Sequence, residues 1–277
     1  MSATLLSGTI VRDALIPSLI SKIKSLSHVP KLAIIQVGDR PDSTSYIKAK
    51  QAFAKKIGVE TRLIHFIENI SQDELIEVIQ NNNNDQSVCG IIVQLPLPPH
   101  INRSIIIEAI NPSKDIDGLT SVNYSKLLVG DHSAIVPATA RGVRELIEHY
   151  HLVLSGKKVA VVGRSRLVGT PVAIFCKNAG ADVIVCHSKT PDLVHETRQA
   201  DIVIVAVGKP GLIGANHLKV GAIVIDIGIS KMSDGSLKGD VDYDSVKDIV
   251  SAISPVPGGV GPMTVLALFE NLVDSCK

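Results

Sequence analysis

The chain contains no tryptophan, and aromatic residues fill only 3% of its 277 positions. A surface that stacks unpaired bases needs such side chains, so single-stranded nucleic acid is not an expected partner. An excess of one charge is also missing. With 28 Lys and Arg against 27 Asp and Glu, the formal net charge is +1, which offers no electrostatic footprint for a polyanion or an anionic membrane. Long hydrophobic runs are absent: stretches such as Ile202–Val207 fall far short of a bilayer's thickness. Met1–Thr9 shows no basic stretch leading into an apolar segment, so no secretory signal is visible and a cytoplasmic location is expected. Cysteine is sparse. Cys89, Cys176, Cys186 and Cys276 form no C-x-x-C pair and are expected to be reduced, acting as small hydrophobes. The nine histidines fall into no H-x-x-x-H or mixed Cys/His spacing, so no metal is expected.

What the chain does have is a 45% hydrophobic composition and enough length for two modest domains. Strand and helix patterns alternate. Leu32–Val37, Arg62–Phe66 and Gly90–Val93 read as strands, with helices at Ser45–Ile57 and Gln72–Gln80 and a polar loop at Asn81–Asp85. The theme returns with strands at Lys158–Val162, Val183–Cys186, Ile202–Val205 and Ala222–Asp226, and helices at Val168–Asn178 and Leu193–Gln199. Near-continuous apolar strands between helices predict parallel sheets covered on both faces, in two α/β units with a cleft between them. The expected division is 1–137 and 138–262, broken near Asp131–Ala140. The last helix, 263–277, is expected to pack back on the first unit.

The second unit carries the clearest nucleotide signal. Val159–Val162 runs into Gly163-Arg164-Ser165-Arg166-Leu167-Val168-Gly169, a strand opening through small residues into a helix whose N-terminus suits a phosphate. The spacing is G-x-S-x-x-x-G rather than G-x-G-x-x-G, and alone it fits an ordinary strand-to-helix turn. The next strand ends Cys186-His187-Ser188-Lys189-Thr190. No carboxylate stands there to hold a ribose 2′-hydroxyl, and Asp182 lies at the opposite end of the strand. A hydroxyl and a cation, with Arg164 nearby, suit a 2′-phosphate, so NADP is expected rather than NAD; a solvated strand end at Ser188 and Lys189 is the plain alternative. Gly208-Lys209-Pro210-Gly211 and Asp226-Ile227-Gly228 read as turns or as close approaches to the same ligand.

In the first unit, Tyr46 and Lys50 are four apart and share a helix face. By themselves they describe either a proton-transfer pair or a lysine stem lying over a packed tyrosine. Gln94-Leu95-Pro96-Leu97-Pro98 leaves a strand at its carboxyl end, where open α/β sheets bind ligands. In Lys114-Asp115-Ile116-Asp117-Gly118, Asp117 suits the amidine-like edge of a heterocycle and Asp115 a nearby base; a capped turn is the plain alternative. Pro255–Thr264 packs three prolines and three glycines into its first eight residues. It reads as a binding loop that exposes N–H groups and starts a helix at Pro262, with a purely structural loop as the alternative.

Taken together and in this order, these blocks resemble the bifunctional methylenetetrahydrofolate dehydrogenase/methenyltetrahydrofolate cyclohydrolase family. The resemblance implies oxidation of 5,10-methylenetetrahydrofolate with NADP as hydride acceptor, then hydrolysis to 10-formyltetrahydrofolate. It implies that Lys50 is catalytic, that Tyr46 packs on the folate, that Gln94 hydrogen-bonds the lysine and that Asp117 grips the pterin. It further implies that Pro257, Gly258 and Gly259 line the substrate, and that Gly163, Arg164, Ser165, Gly169, Ser188 and Ile229 hold the cofactor, with no metal. The family forms homodimers through its cofactor domains. Two departures stand out: Pro137-Ala138-Thr139-Ala140 replaces a frequent Pro-Cys-Thr-Pro, and Ser230 occupies a position that is commonly Asn. Rival readings are a shikimate-type dehydrogenase and a non-catalytic NADP-binding protein.

Overall fold

The computed structural model describes residues 3–276. Its elements run β1 (Thr4–Leu5), α1 (Gly8–Lys24), β2 (Lys31–Val37), α2 (Pro41–Ile57), β3 (Glu60–Phe66), α3 (Gln72–Asn84), β4 (Gly90–Val93), α4 (Arg103–Glu108) and α5 (Ser121–Leu128). Then follow α6 (Ala138–His149), β5 (Lys158–Val162), α7 (Gly169–Asn178), β6 (Asp182–Cys186), α8 (Leu193–Gln199), β7 (Ile202–Val205) and β8 (Ile223–Asp226). The last elements are β9 (Ser230–Lys231), β10 (Leu237–Lys238), α9 (Tyr243–Val246), β11 (Ala252–Ile253) and α10 (Val260–Ser275). The α/β class expected from the strand–helix alternation is the one observed.

The chain divides into two compact units. One comprises the segment up to Ala14 with Thr139–Thr264; the other comprises Leu15–Ala138 with the chain from Val265 onward. The first of these holds a six-stranded sheet in the order β1-β11-β8-β7-β5-β6, and the second a three-stranded sheet in the order β3-β2-β4. All pairings within these two sheets are parallel. The amino terminus departs from the expected 1–137 unit. Thr4 and Leu5 pair with Ala252 and Ile253, and Tyr150 Oη accepts from the Ser7 N–H at 2.9 Å. A two-residue edge strand has no apolar run long enough to be seen in sequence.

In the three-stranded unit, β2 is buried apart from its first residue and β4 along its whole length. α2 starts with Pro41 in its first turn and ends at Gly58, whose φ of +83° returns its N–H to the Ala54 carbonyl. Its inner face buries Ile47, Phe53, Ala54 and Ile57, with Phe53 against Phe269 of α10 at a centroid distance of 5.4 Å. α3 is opened by a reciprocal capping box between Ser71 and Glu74. It does not stop before Asn81–Asp85 as expected. Asn82 Nδ2 donates to the Val78 carbonyl at 2.8 Å, and Lys114 Nζ caps the carbonyls of Asn82, Asn83 and Asp85 at 3.1, 2.7 and 2.8 Å. A cation on the last carbonyls prolongs a helix that local propensity alone would end.

The cysteines also depart from expectation. Cys176 and Cys186 are buried free thiols, and burial pushes the Cys176 thiol up to about 12. Cys89 and Cys276, however, are joined as a disulfide across 187 residues. Spacing gave no hint of this pair, because α10 carries Cys276 back beside the start of β4.

Candidate active site

Four side chains singled out in sequence lie in the three-stranded unit. Lys50 projects from α2, half-buried, and its Nζ donates to Gln94 Oε1 at 3.0 Å. Gln94 follows β4, its backbone N–H bonded to the Ile35 carbonyl at 2.8 Å. Its own Nε2 donates to the Leu95 carbonyl at 2.9 Å. That second bond fixes which end of the amide meets the lysine. Asp117 is close enough to Lys50 for the two charges to interact. Burial holds the Lys50 amine below its usual value, with Asp117 opposing the shift. Burial likewise raises the Asp117 carboxyl, with Lys50 opposing that shift. Tyr46, one turn before Lys50, is 55% exposed, so its ring is not packed in the core.

Asp115 does not pair with a base. It is 1% exposed and accepts from the N–H groups of Leu119 and Thr120 at 3.0 and 2.8 Å, from Thr120 Oγ1 at 2.8 Å and from Asn123 Nδ2 at 3.0 Å. It closes the turn that presents Asp117. Asn271 of α10 braces the same segment, donating from Nδ2 to the carbonyls of Ile116 and Val136 at 2.8 and 2.9 Å.

In the six-stranded unit the chain leaves β5 for β6 on one side and then places β7 on the other. That reversal creates a crevice at the carboxyl ends of β5 and β7, where open α/β sheets take ligands. Gly163 sits there with φ +121°, and a Cβ on it would strike the Ala206 carbonyl. Gly169 is as restricted, since a Cβ would collide with the Gly163 carbonyl. Ser165 Oγ accepts from the Val168 and Gly169 N–H groups at 3.1 and 3.4 Å, which fixes the turn into α7. Arg164, Ser165, Ser188 and Lys189 are exposed around this end. The only carboxylate of β6 is Asp182, at its amino end beside Lys158. Backbone at the crevice, a guanidinium, hydroxyls and no carboxylate fit a dinucleotide bearing a 2′-phosphate.

Two buried aspartates shape the far side of this crevice, and sequence reasoning missed the role of both. Asp240, fully buried, accepts from the N–H groups of Val207, Gly208 and Lys209 at 2.7, 3.0 and 2.6 Å. Asp226 accepts from Gly228, Asp240 and Val241 N–H groups at 3.0, 3.0 and 2.9 Å. Burial, aided by the charge of Asp240, pushes the Asp226 carboxyl up to about 6. The Gly239-Asp240-Val241 run after the β9–β10 hairpin was the available signal, an acid set between two residues that must be buried. Ile229 is exposed beside them.

In the proline- and glycine-rich loop, Pro257 is exposed and Gly258 half-buried with φ +101°. Gly259 is less open than the sequence suggested. It is buried, its N–H donates to the Pro255 carbonyl at 2.8 Å, and the Thr9 N–H bonds the Gly258 carbonyl at 3.2 Å.

Comparison with known proteins decides among the readings. Residues 6–117 match the model of the tetrahydrofolate dehydrogenase/cyclohydrolase catalytic domain, and residues 137–277 that of the same family's NAD(P)-binding domain. The chain belongs to the tetrahydrofolate dehydrogenase/cyclohydrolase family. It is 45% identical over 280 residues to "Bifunctional protein FolD" of Geobacillus thermodenitrificans, covering 100% of this chain and 98% of the relative. A crystal structure of the bifunctional enzyme FolD from Campylobacter jejuni superposes with TM-score 0.97 at 43% identity, covering 99% of each chain. The Trypanosoma brucei dehydrogenase-cyclohydrolase, solved with NADP cofactor and an inhibitor, superposes at TM-score 0.94 and 35% identity, covering 100% of this chain and 98% of that one. The shikimate-type and non-catalytic readings therefore give way to the tetrahydrofolate family. The family's frequent Cys and Pro are replaced by Ala138 and Ala140, both buried, at 2% exposure each.

Proposed function

We propose that this member of the tetrahydrofolate dehydrogenase/cyclohydrolase family oxidises 5,10-methylenetetrahydrofolate with NADP and hydrolyses the resulting 5,10-methenyl cation to 10-formyltetrahydrofolate. The observation that carries the reading is the Lys50–Gln94–Asp117 arrangement. An amine is held at 3.0 Å by a neutral acceptor, with its proton affinity lowered by burial, beside a half-buried acid.

The chemistry asks for that combination. Loss of hydride leaves a positive charge shared by N5 and N10, and a protonated lysine alongside would oppose it. A lysine of lowered proton affinity spends more of its time neutral and can act as a base. In the hydrolysis, Lys50 takes a proton from water as its oxygen bonds to the methenyl carbon. The C–N5 bond then breaks, the hydroxyl proton ends on N5, and one proton is released overall. Gln94 orients the amine without adding charge, Asp117 takes the pterin edge, and Tyr46 covers the folate. Pro257, Gly258 and Gly259 complete the substrate contacts. NADP, when bound, supplies the hydride acceptor, with Gly163, Arg164, Ser165, Gly169, Ser188 and Ile229 holding it; the 2′-phosphate lies with Arg164 and Ser188.

A homodimer in the cytoplasm completes the reading. The edge strand β6 leaves Ile184 and Val185 38% and 37% exposed, an apolar edge suited to a second copy. Neither nucleic acid nor membrane is among the proposed partners, and no described helix is long and apolar enough to cross a bilayer. The deciding experiment is an absorbance assay of 5,10-methylenetetrahydrofolate with NADP and with NAD. Reduction of NADP, followed by appearance of the 10-formyl product, is expected. Absence of methylene oxidation with either dinucleotide overturns the reading, and a clear NAD preference overturns the 2′-phosphate assignment.

A further inference from the structure

His28, Cys89 and Cys276 place one imidazole nitrogen and two sulfurs within 4.8 Å of one another. The cluster sits at the amino end of β4, opposite the end that Gln94 follows, and serves none of the chemistry above. Cys89 is 6% exposed, and its backbone N–H is fixed on the Lys31 carbonyl at 2.9 Å. Cys276 is half-buried and His28 exposed. The two cysteine Cα atoms lie 5.2 Å apart, a separation a disulfide bridges without moving the backbone. His28 Nε2 lies 3.5 Å from Cys89 Sγ. Cys176 and Cys186 are buried thiols held in the other unit.

We propose that Cys89 and Cys276 form a thiol–disulfide exchange site that reacts with low-molecular-weight disulfides of the glutathione type, with His28 as the proton acceptor. The more accessible Cys276, its proton lost to solvent, attacks the small disulfide as the thiolate, forming a mixed disulfide and expelling one thiolate, which takes up that proton. Cys89 gives its proton to His28 Nε2, and its thiolate attacks Cys276 Sγ, expelling the second. Two protein thiols are oxidised and one small disulfide is reduced to two thiols. The closed bond ties the end of α10 to the start of β4. The same end of α10 sets Leu272 against Gly90, where a Cβ would meet the leucine at 2.7 Å, and sends Asn271 to the Ile116 carbonyl beside Asp117. Closure therefore secures the last turns of α10 on the segment that carries Asp117.

The test uses the full chain, reduced with dithiothreitol and then equilibrated with mixtures of reduced and oxidised glutathione. Alkylation and peptide mass should show the Cys89–Cys276 bond forming while Cys176 and Cys186 stay alkylatable. Closure should raise the melting temperature by about 5–10 °C, the scale of a long cross-linked loop in a chain of this size. In Cys89→Ser, glutathione should accumulate on Cys276; in Cys276→Ser, oxidation should leave the melting temperature unchanged. His28→Gln should slow closure roughly tenfold, the effect of losing a proton acceptor, without altering the melting temperature of the closed form. Independent alkylation of both thiols at every glutathione ratio overturns the proposal. So does stoichiometric zinc that remains on the dithiol and blocks its oxidation, which would make the cluster a metal site. An unchanged closure rate in His28→Gln removes the imidazole from the exchange.

Discussion

Lys50 and Gln94 are 44 residues apart in sequence, yet the lysine nitrogen donates to Gln94 Oε1 at 3.0 Å. A helix and a strand end, each fixed by its own backbone bonds, bring them together. The acceptor is neutral, so the contact aims the amine without anchoring its charge as a carboxylate would.

Replacing Lys50 with Met should therefore abolish hydrolysis of the methenyl substrate. A lost proton-transfer group reduces the rate by roughly 10²–10⁴-fold. Binding of NADP, measured by calorimetry, should be unchanged, because the residues assigned to the cofactor lie in the other unit. Wild-type hydrolysis in this variant would take Lys50 out of the mechanism.

Asp117 favours the protonated form of Lys50, whereas burial disfavours it more strongly. Removing that carboxylate charge should lower the proton affinity of the amine further. In Asp117→Asn, the Lys50 titration, followed by the side-chain carbon resonance that disappears in Lys50→Met, should move to lower pH. The alkaline-rising limb of any residual hydrolysis should move with it. A shift to higher pH would show that the two groups do not interact as described.

Asp115 and Asp117 stand two residues apart and divide the labour. Asp115, buried with four donors around it, should matter first to folding. Its replacement by Ala leaves those donors without an acceptor, costing about 3 kcal/mol and lowering the melting temperature by roughly 10 °C. Asp117→Ala should instead weaken folate binding while leaving the melting temperature within a few degrees of wild type. Equal loss of stability in both variants would make Asp117 another structural acid.

The sequence made some of these parts legible and hid others for physical reasons. β4, β5, β7 and α8 appear at the boundaries their patterns indicated, because a buried parallel strand is a short unbroken apolar run. α1 was missed although it spans 17 residues, with Pro17 inside it and apolar residues spread around its circumference, so no amphipathic period announces it. The Lys50–Asp117 neighbourhood was indicated by family resemblance rather than by pattern. The Gly239-Asp240-Val241 run marked Asp240 as a candidate for burial but not its partners at 207–209, and the Cys89–Cys276 pair was out of reach, because long-range topology that no local window contains fixes both pairings.

Arg164 is exposed at the turn after β5, in a crevice with no competing carboxylate at the end of β6. Arg164→Ala should raise the KM for NADP about tenfold or more, the size of one charge-assisted contact. The KM for NAD, which lacks the 2′-phosphate, should hardly move. A parallel loss for both dinucleotides would mean that Arg164 acts on something the two share, such as the pyrophosphate, and would reassign the 2′-phosphate.

Asp240 holds the loop after β7 through three consecutive backbone N–H groups, those of Val207, Gly208 and Lys209. Glycine at 208, with φ +67° and open space where a Cβ would stand, leaves that loop bare toward the crevice. An alanine at 240 would strand three amides and free the loop. Asp240→Ala should weaken NADP at least tenfold by calorimetry, while a folate analogue binds the other unit as before. Asp240→Asn, which keeps one carbonyl oxygen for the amides, should recover part of the affinity. If the Ala variant keeps wild-type NADP affinity while its melting temperature falls, the carboxylate supports the fold alone and the loop is not a cofactor contact.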